Sequence, residues 1–139
     1  MRIGITGSLS SGKSSVAKIL SNKKDIVFSA DKVVKKFYTS KKFKKIISKK
    51  FKIKTNNIKQ EIKKRLLNKK ISLKELGKII HPTVRKEMIV FSKKKQNKNV
   101  IIFEIPLLIE SKLMKFFDAI ILVIAPKKLR IKRYLKNGG

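Results

Sequence analysis

Residues 7–14, Gly7-Ser8-Leu9-Ser10-Ser11-Gly12-Lys13-Ser14, satisfy the pattern G-x-x-x-x-G-K-[ST] and follow directly on the apolar run Ile3-Gly4-Ile5. A strand, a tight loop and a helix in that order make a phosphate-binding loop. Gly7 and Gly12 permit backbone angles closed to other residues, so successive N–H groups turn inward around a polyphosphate at a helix N-terminus. Lys13 would neutralise β/γ-phosphate charge, and the Ser14 hydroxyl would ligate Mg²⁺. The bland alternative is a Gly/Ser-rich strand-to-helix turn. All four fixed residues are present, with a strand before them and an amphipathic helix after, and this disfavours it.

The chain has 139 residues, 42% of them hydrophobic, enough for one domain with a real core. Its longest clean apolar run, Ala119 to Ala125, is far too short to span a bilayer, and the N-terminus reads as a strand rather than a signal peptide. A soluble cytoplasmic protein is expected, with no membrane partner. No cysteine is present, which removes disulfides, thiolate catalysis and cysteine metal sites. The net charge of +30 comes from 33 Lys and 5 Arg against 8 acids. Nucleic-acid surfaces cluster basic residues and interleave Arg and aromatics, whereas here Lys is strewn from residue 13 to residue 136. Most of the lysines therefore read as solvated helix faces whose field still attracts an anionic substrate, and no nucleic-acid partner is expected.

Hydrophobic spacing predicts a strand over 2–6, a helix over 13–20 with Val16, Ile19 and Leu20 facing inward, and a short strand at Ile26-Val27-Phe28. That strand ends at Ser29-Ala30-Asp31, placing Asp31 at the carboxyl edge of a sheet, where open α/β folds bind ligands. From about Val33 to Lys95 the spacing turns helical. Phe43, Ile46, Ile47 and Phe51 form one stripe and Ile58, Ile62 and Leu66 another. Ile71, Leu73, Leu76, Ile79 and Ile80 surround a capping box made by Ser72 and Glu75. Pro82 predicts that one helix ends near His81 and another begins, carrying Val84, Met88 and Phe91. The apolar runs 100–103 and 120–124 predict parallel strands buried on both faces, and Pro126 opens a last helix over 127–136. The fold class expected is α/β: a parallel sheet flanked by helices in a P-loop NTPase arrangement. The core comprises 1–32 and 97–139, with a helical insertion over about 33–96.

The eight acidic residues are Asp25, Asp31, Asp118, Glu61, Glu75, Glu87, Glu104 and Glu110. Glu61, Glu75 and Glu87 lie in Lys-rich helices, where surface pairing or capping explains them, and Asp25 reads as a turn residue. Asp31 and Glu104 remain at carboxyl ends of strands beside the expected γ-phosphate, with Glu110 and Asp118 further off. Phosphoryl transfer to a hydroxyl needs positioning, Mg²⁺ and a carboxylate to take the hydroxyl proton. Asp31 fits that base role, with a helix N-cap as the alternative. Glu104 reads equally as a metal-holding carboxylate or a buried structural acid. His81, the single histidine, reads equally as a functional group or a helix-end cap. Asn22-Lys23-Lys24-Asp25 spells the guanine-reading N-K-x-D, but at the end of the loop's helix, and no D-x-x-G segment follows. A small-molecule kinase is favoured over a GTPase.

Taken in order, these motifs resemble those of the dephospho-coenzyme A kinase family over nearly the whole chain. The resemblance rests on Ile3-Gly4-Ile5-Thr6-Gly7 with Ser11-Gly12-Lys13-Ser14, and on Ser29-Ala30-Asp31 against a D-A-D motif. It rests further on the pair His81-Pro82, on Pro106-Leu107-Leu108-Ile109-Glu110 against P-L-L-x-E, and on Phe117 to Val123 followed by Pro126 and Arg133. The resemblance implies transfer of the ATP γ-phosphate to the ribose 3′-hydroxyl of dephospho-coenzyme A. Asp31 is then the base and Lys13 the catalytic cation. Gly7, Ser8, Leu9, Ser10, Ser11, Gly12, Lys13, Ser14, Ser15 and Arg133 form the ATP site. Asp31, His81, Pro106, Leu107 and Glu110 form the acceptor site, with Mg²⁺ on Ser14 and Glu104 a further candidate ligand. The helical insertion is implied to bind the acceptor, and a monomer or weak homo-oligomer is expected. Ser29 replaces the first Asp of D-A-D, and Ser8 and Ser10 stand where many members have Gly. Asn137-Gly138-Gly139 falls where a basic lid is expected to begin, so the lid and final segment are expected to be missing. The residues leave open another P-loop kinase acting on a nucleoside, nucleotide or shikimate, or a lidless ATP-binding protein without turnover.

Overall fold

The computed structural model describes residues 1–21, 26–106, 108 and 113–138. In chain order the elements are β1 (Arg2–Thr6), α1 (Lys13–Leu20), β2 (Val27–Ser29), α2 (Ala30–Phe37), α3 (Lys41–Phe51), α4 (Ile58–Leu67), α5 (Leu73–Lys94), β3 (Ile101–Glu104), a 3-10 turn (Met114–Phe116), β4 (Ala119–Leu122) and α6 (Lys127–Lys136). The chain divides into two compact units, one comprising Met1–Asp31 with Met88–Gly139 and the other Lys32–Glu87.

The first unit is built on a four-stranded, all-parallel sheet of order β2-β3-β1-β4. Parallel strands need crossover connections that cover the faces with helices, and the central strand β3 reads accordingly as an apolar run up to Glu104. All four residues of β3 are buried, with Ile102 and Phe103 fully enclosed. The Phe103 ring packs on Phe28, Phe91, Phe116 and Phe117 at centroid separations of 5.5–5.9 Å. Register fixes where the strands end: Ile5 and Ser29 both pair with Glu104, and Thr6 pairs with Leu122. One edge of the sheet therefore collects the loop after β1, the start of α2 and Glu104. At the other end of β1, the Arg2 amide donates to Asp118, the Arg2 guanidinium pairs with that carboxylate at 3.8 Å, and it lies 4.7 Å from the Phe116 ring centre. Asp118 is thus a structural anchor away from the loop.

The helical unit has its own core of Phe43, Ile47, Ile53, Ile58, Ile62 and Leu76. Its helices are closed by local polar groups: Ser40 accepts from the Phe43 amide and Asn57 from the Gln60 amide. The expected capping box is present, with Glu75 accepting from the Ser72 amide and hydroxyl and Ser72 accepting from the Glu75 amide.

Three expectations are corrected. The inward face of α1 carries Ala17, with Val16 packed beside it, whereas Ile19 and Leu20 are 77% and 47% exposed. Ile19, two residues on from Ala17, lies on the opposite side of the helix, and Leu20 shares the row of Val16 and Ala17 but is the last residue of α1. Likewise Ile46 and Leu73 are exposed members of stripes whose other residues are buried. No helix ends at His81. α5 runs unbroken through Pro82, even though proline removes the amide donor and its ring crowds the carbonyl four residues back. Buried Leu76, Val84 and Met88 keep one spacing across the proline, and their packing holds the helix together. Finally, β4 is an edge strand ending at Leu122, with Leu122 55% and Ile124 81% exposed, rather than a strand buried on both faces. No helix among the described residues is long and apolar enough to cross a membrane.

Candidate active site

The loop after β1 takes its shape from two glycines. Gly7 has φ +146°, and a Cβ there would sit 2.3 Å from the Val123 carbonyl oxygen, so only glycine lets the loop pass the end of the neighbouring strand. Gly12 has φ +106° and forms the N-cap of α1, accepting from the Ser15 and Val16 amides with its carbonyl. Between them the Ser11 amide donates to the Ser8 carbonyl, while Ser10 takes a left-handed φ of 57°. The loop is closed from within by Lys13, whose buried ammonium donates to the carbonyls of Gly7 at 3.0 Å and Ser8 at 2.9 Å. An ammonium held out of water at a helix N-terminus is a strong attractor for an anion. The buried Ser11 hydroxyl has no partner among the described residues, a further donor in the cradle.

A cavity of about 430 Å³ opens in front of the loop, lined by Leu9, Ser10, Gly12, Lys13, Ser14, Ser15, Asp31, Glu104, Arg133 and Asn137. The loop and the start of α1 supply Leu9, Ser10, Gly12, Lys13, Ser14 and Ser15, and the others come from the start of α2 and the ends of β3 and α6. Asp31 lies in the first turn of α2, inside the helix rather than at its N-cap, and is exposed. Glu104 is the last residue of β3 and 7% exposed, and its carboxylate accepts from the Ser14 hydroxyl. Arg133, on α6, donates to the Ser11 carbonyl at 3.1 Å and reaches the Ser10 carbonyl at 3.5 Å. Asn137, one turn further along, lines the same cavity. Sequence reasoning missed it, reading it as the start of a loop, although its spacing of four from Arg133 places both on one helix face.

The structure thus brings Leu9, Ser10, Gly12, Lys13, Ser14, Ser15, Asp31, Glu104 and Arg133 around one cavity, with Gly7, Ser8 and Ser11 shaping the loop behind it. Pro106, two residues past Glu104, is half-buried and does not line it. His81 is an exposed residue of α5 in the helical unit. Leu107 and Glu110, like the N-K-x-D stretch 22–25, lie outside the described residues.

A profile of the dephospho-CoA kinase family matches residues 1–139, the whole chain. The chain belongs to the dephospho-CoA kinase family. Family members carry out ATP-dependent phosphorylation of dephospho-CoA in coenzyme A biosynthesis. The chain is 38% identical to the dephospho-CoA kinase of Fusobacterium nucleatum over 145 residues, a match covering 99% of this chain and 73% of that protein. It is 35% identical to the Bartonella henselae dephospho-CoA kinase, covering 94% and 70%, and 32% identical to that of Rickettsia typhi, covering 100% and 73%. Among solved structures it is similar to TT1252 from Thermus thermophilus, with a TM-score of 0.75 and 25% identity over 100% of this chain and 73% of that one. The dephospho-CoA kinase chain therefore has the α/β P-loop NTPase fold expected from its opening motif.

Proposed function

We propose that this chain transfers the γ-phosphate of ATP to the ribose 3′-hydroxyl of dephospho-CoA, with Asp31 as the base and Lys13 as the cation on the transferred phosphate. The observation that supports it most is the convergence of Lys13, Ser14, Asp31, Glu104 and Arg133 on one cavity at the carboxyl edge of the sheet. The loop amides, Lys13 and Arg133 bind and orient the triphosphate. Asp31 accepts the 3′-hydroxyl proton as the oxygen bonds to the γ-phosphorus, and the bond from that phosphorus to the bridging oxygen breaks to release ADP.

Mg²⁺ fits the residues present. The Ser14 hydroxyl and Glu104 carboxylate are hard oxygen donors already in contact, and no cluster of three or more His, Cys, Asp or Glu able to hold a metal occurs among the described residues. That suits an ion held by one or two protein oxygens and substrate phosphates. Ser14 and Glu104 would hold the Mg²⁺, which would supply positive charge to offset that of the phosphates during transfer.

Acceptor recognition is assigned, by family resemblance, to Asp31, His81, Pro106, Leu107 and Glu110 and to the helical stretch over about 33–96 of a single kinase domain. We further take the protein to be cytoplasmic, a monomer or weak homo-oligomer, with its lysines solvated rather than committed to nucleic acid. The test is a coupled ADP-release assay with Mg-ATP and dephospho-CoA. Asp31→Asn is expected to lower kcat by about 10²-fold or more while leaving ATP affinity within a fewfold, and Lys13→Ala to impair both. Full turnover in Asp31→Asn would remove it as the base.

A further inference from the structure

The second turn of α5 holds a glycine with no backbone reason to be there. Gly77 sits five residues into a 22-residue helix, with none of the positive φ that marks Gly7, Gly12 and Gly138. Glycine is among the poorest helix residues, and alanine would serve this backbone better. What glycine supplies is space. A Cβ at position 77 would lie 3.2 Å from both Cε1 and Nε2 of His81 and 3.7 Å from its Nδ1, and these are the three nearest atoms it would meet. Helical side chains lean toward the N-terminus over the residue four positions back, and here the imidazole lies on the bare Cα of Gly77. Gly77 is buried although the His81 above it is exposed.

We infer that Gly77 is a positioning residue for His81: it seats the imidazole flat against α5 in the orientation that meets the acceptor. The inference rests on the assignment of His81 to acceptor recognition. An added methyl would press on the ring at 3.2 Å, tighter than ordinary van der Waals contact. An exposed ring is free to yield, so the methyl turns the imidazole rather than disrupting the helix.

His81 is the single histidine of these 139 residues, so its imidazole gives one unambiguous Cε1–H signal in ¹H–¹³C spectra of the chain. Gly77→Ala is expected to move that signal, to raise the melting temperature by about 2–5 °C through helix propensity, and to weaken dephospho-CoA binding, measured calorimetrically without ATP, by about three- to tenfold. ATP affinity stays unchanged. In a His81→Ala background the same glycine substitution leaves dephospho-CoA affinity unaltered, which a purely structural role for Gly77 would not produce. If His81→Ala weakens dephospho-CoA binding and Gly77→Ala does not, the positioning role is overturned while the histidine assignment stands. If His81→Ala leaves binding unchanged, the histidine assignment fails and the inference with it.

Discussion

Glu104 and Ser14 stand 90 positions apart in the chain and share a hydrogen bond, a contact that bears on a question the residues left even. A carboxylate closing a buried strand reads equally as a structural acid or a metal holder. Its place on the cavity wall, with the Ser14 hydroxyl donating to it, favours the second. Glu104→Gln keeps an oxygen to accept from Ser14 but removes the charge, so the fold should persist. The Mg²⁺ concentration for half-maximal turnover is expected to rise about tenfold or more, and an unchanged Mg²⁺ dependence would return Glu104 to a structural role. Gly7 was legible from the motif for its backbone freedom, yet its second constraint, the Val123 carbonyl just past the end of β4, lies more than a hundred residues away. Gly7→Ala combines a disallowed φ with a backbone clash, and the expected cost is about 3 kcal/mol or more, readable as a lower denaturation midpoint.

Elements were legible where their pattern was local. β1, α1 and α6 lie where hydrophobic period and caps put them, and the Ser72–Glu75 box forms as spelled. Misreadings arose where a neighbour decides: proline's local veto was overridden by burial on both sides of Pro82, and the apolar run on β4 has no second neighbouring strand among the described residues. The box carries its own pH signature. The Ser72 amide bonded to Glu75 holds that carboxyl below its ordinary 4.5, and the Arg65 guanidinium does the same for Glu61. A carboxyl whose pKa is lower folded than unfolded stabilises above the unfolded value, and that contribution is lost as pH falls through the folded one. Glu75→Ala is therefore expected to melt lower than the parent at pH 7, with the two curves converging as pH falls below the ordinary carboxyl value and through the lowered folded one. A gap that persists in acid would mean that Glu75 stabilises α5 by something other than its charge.

For the whole molecule the governing quantity is a net charge of +30 on 139 residues. Like charges this dense oppose the compact state, and the Debye length shrinks from about 30 Å at 0.01 M salt to about 10 Å at 0.1 M. The melting temperature is expected to climb across that range in NaCl and to stay flat in an uncharged osmolyte of equal osmolality. The same field bears on the side of β4 that pairs with no strand among the described residues, where Leu122 and, just past the strand, Ile124 are exposed. Unpaired edges invite strand addition by another chain unless something keeps copies apart, and on this surface mutual repulsion is what does so. Ionic strength thus cuts both ways: the salt that steadies each folded molecule also dissolves the colloidal barrier between molecules, and light scattering should mark the concentration at which stability against heat gives way to loss of solubility.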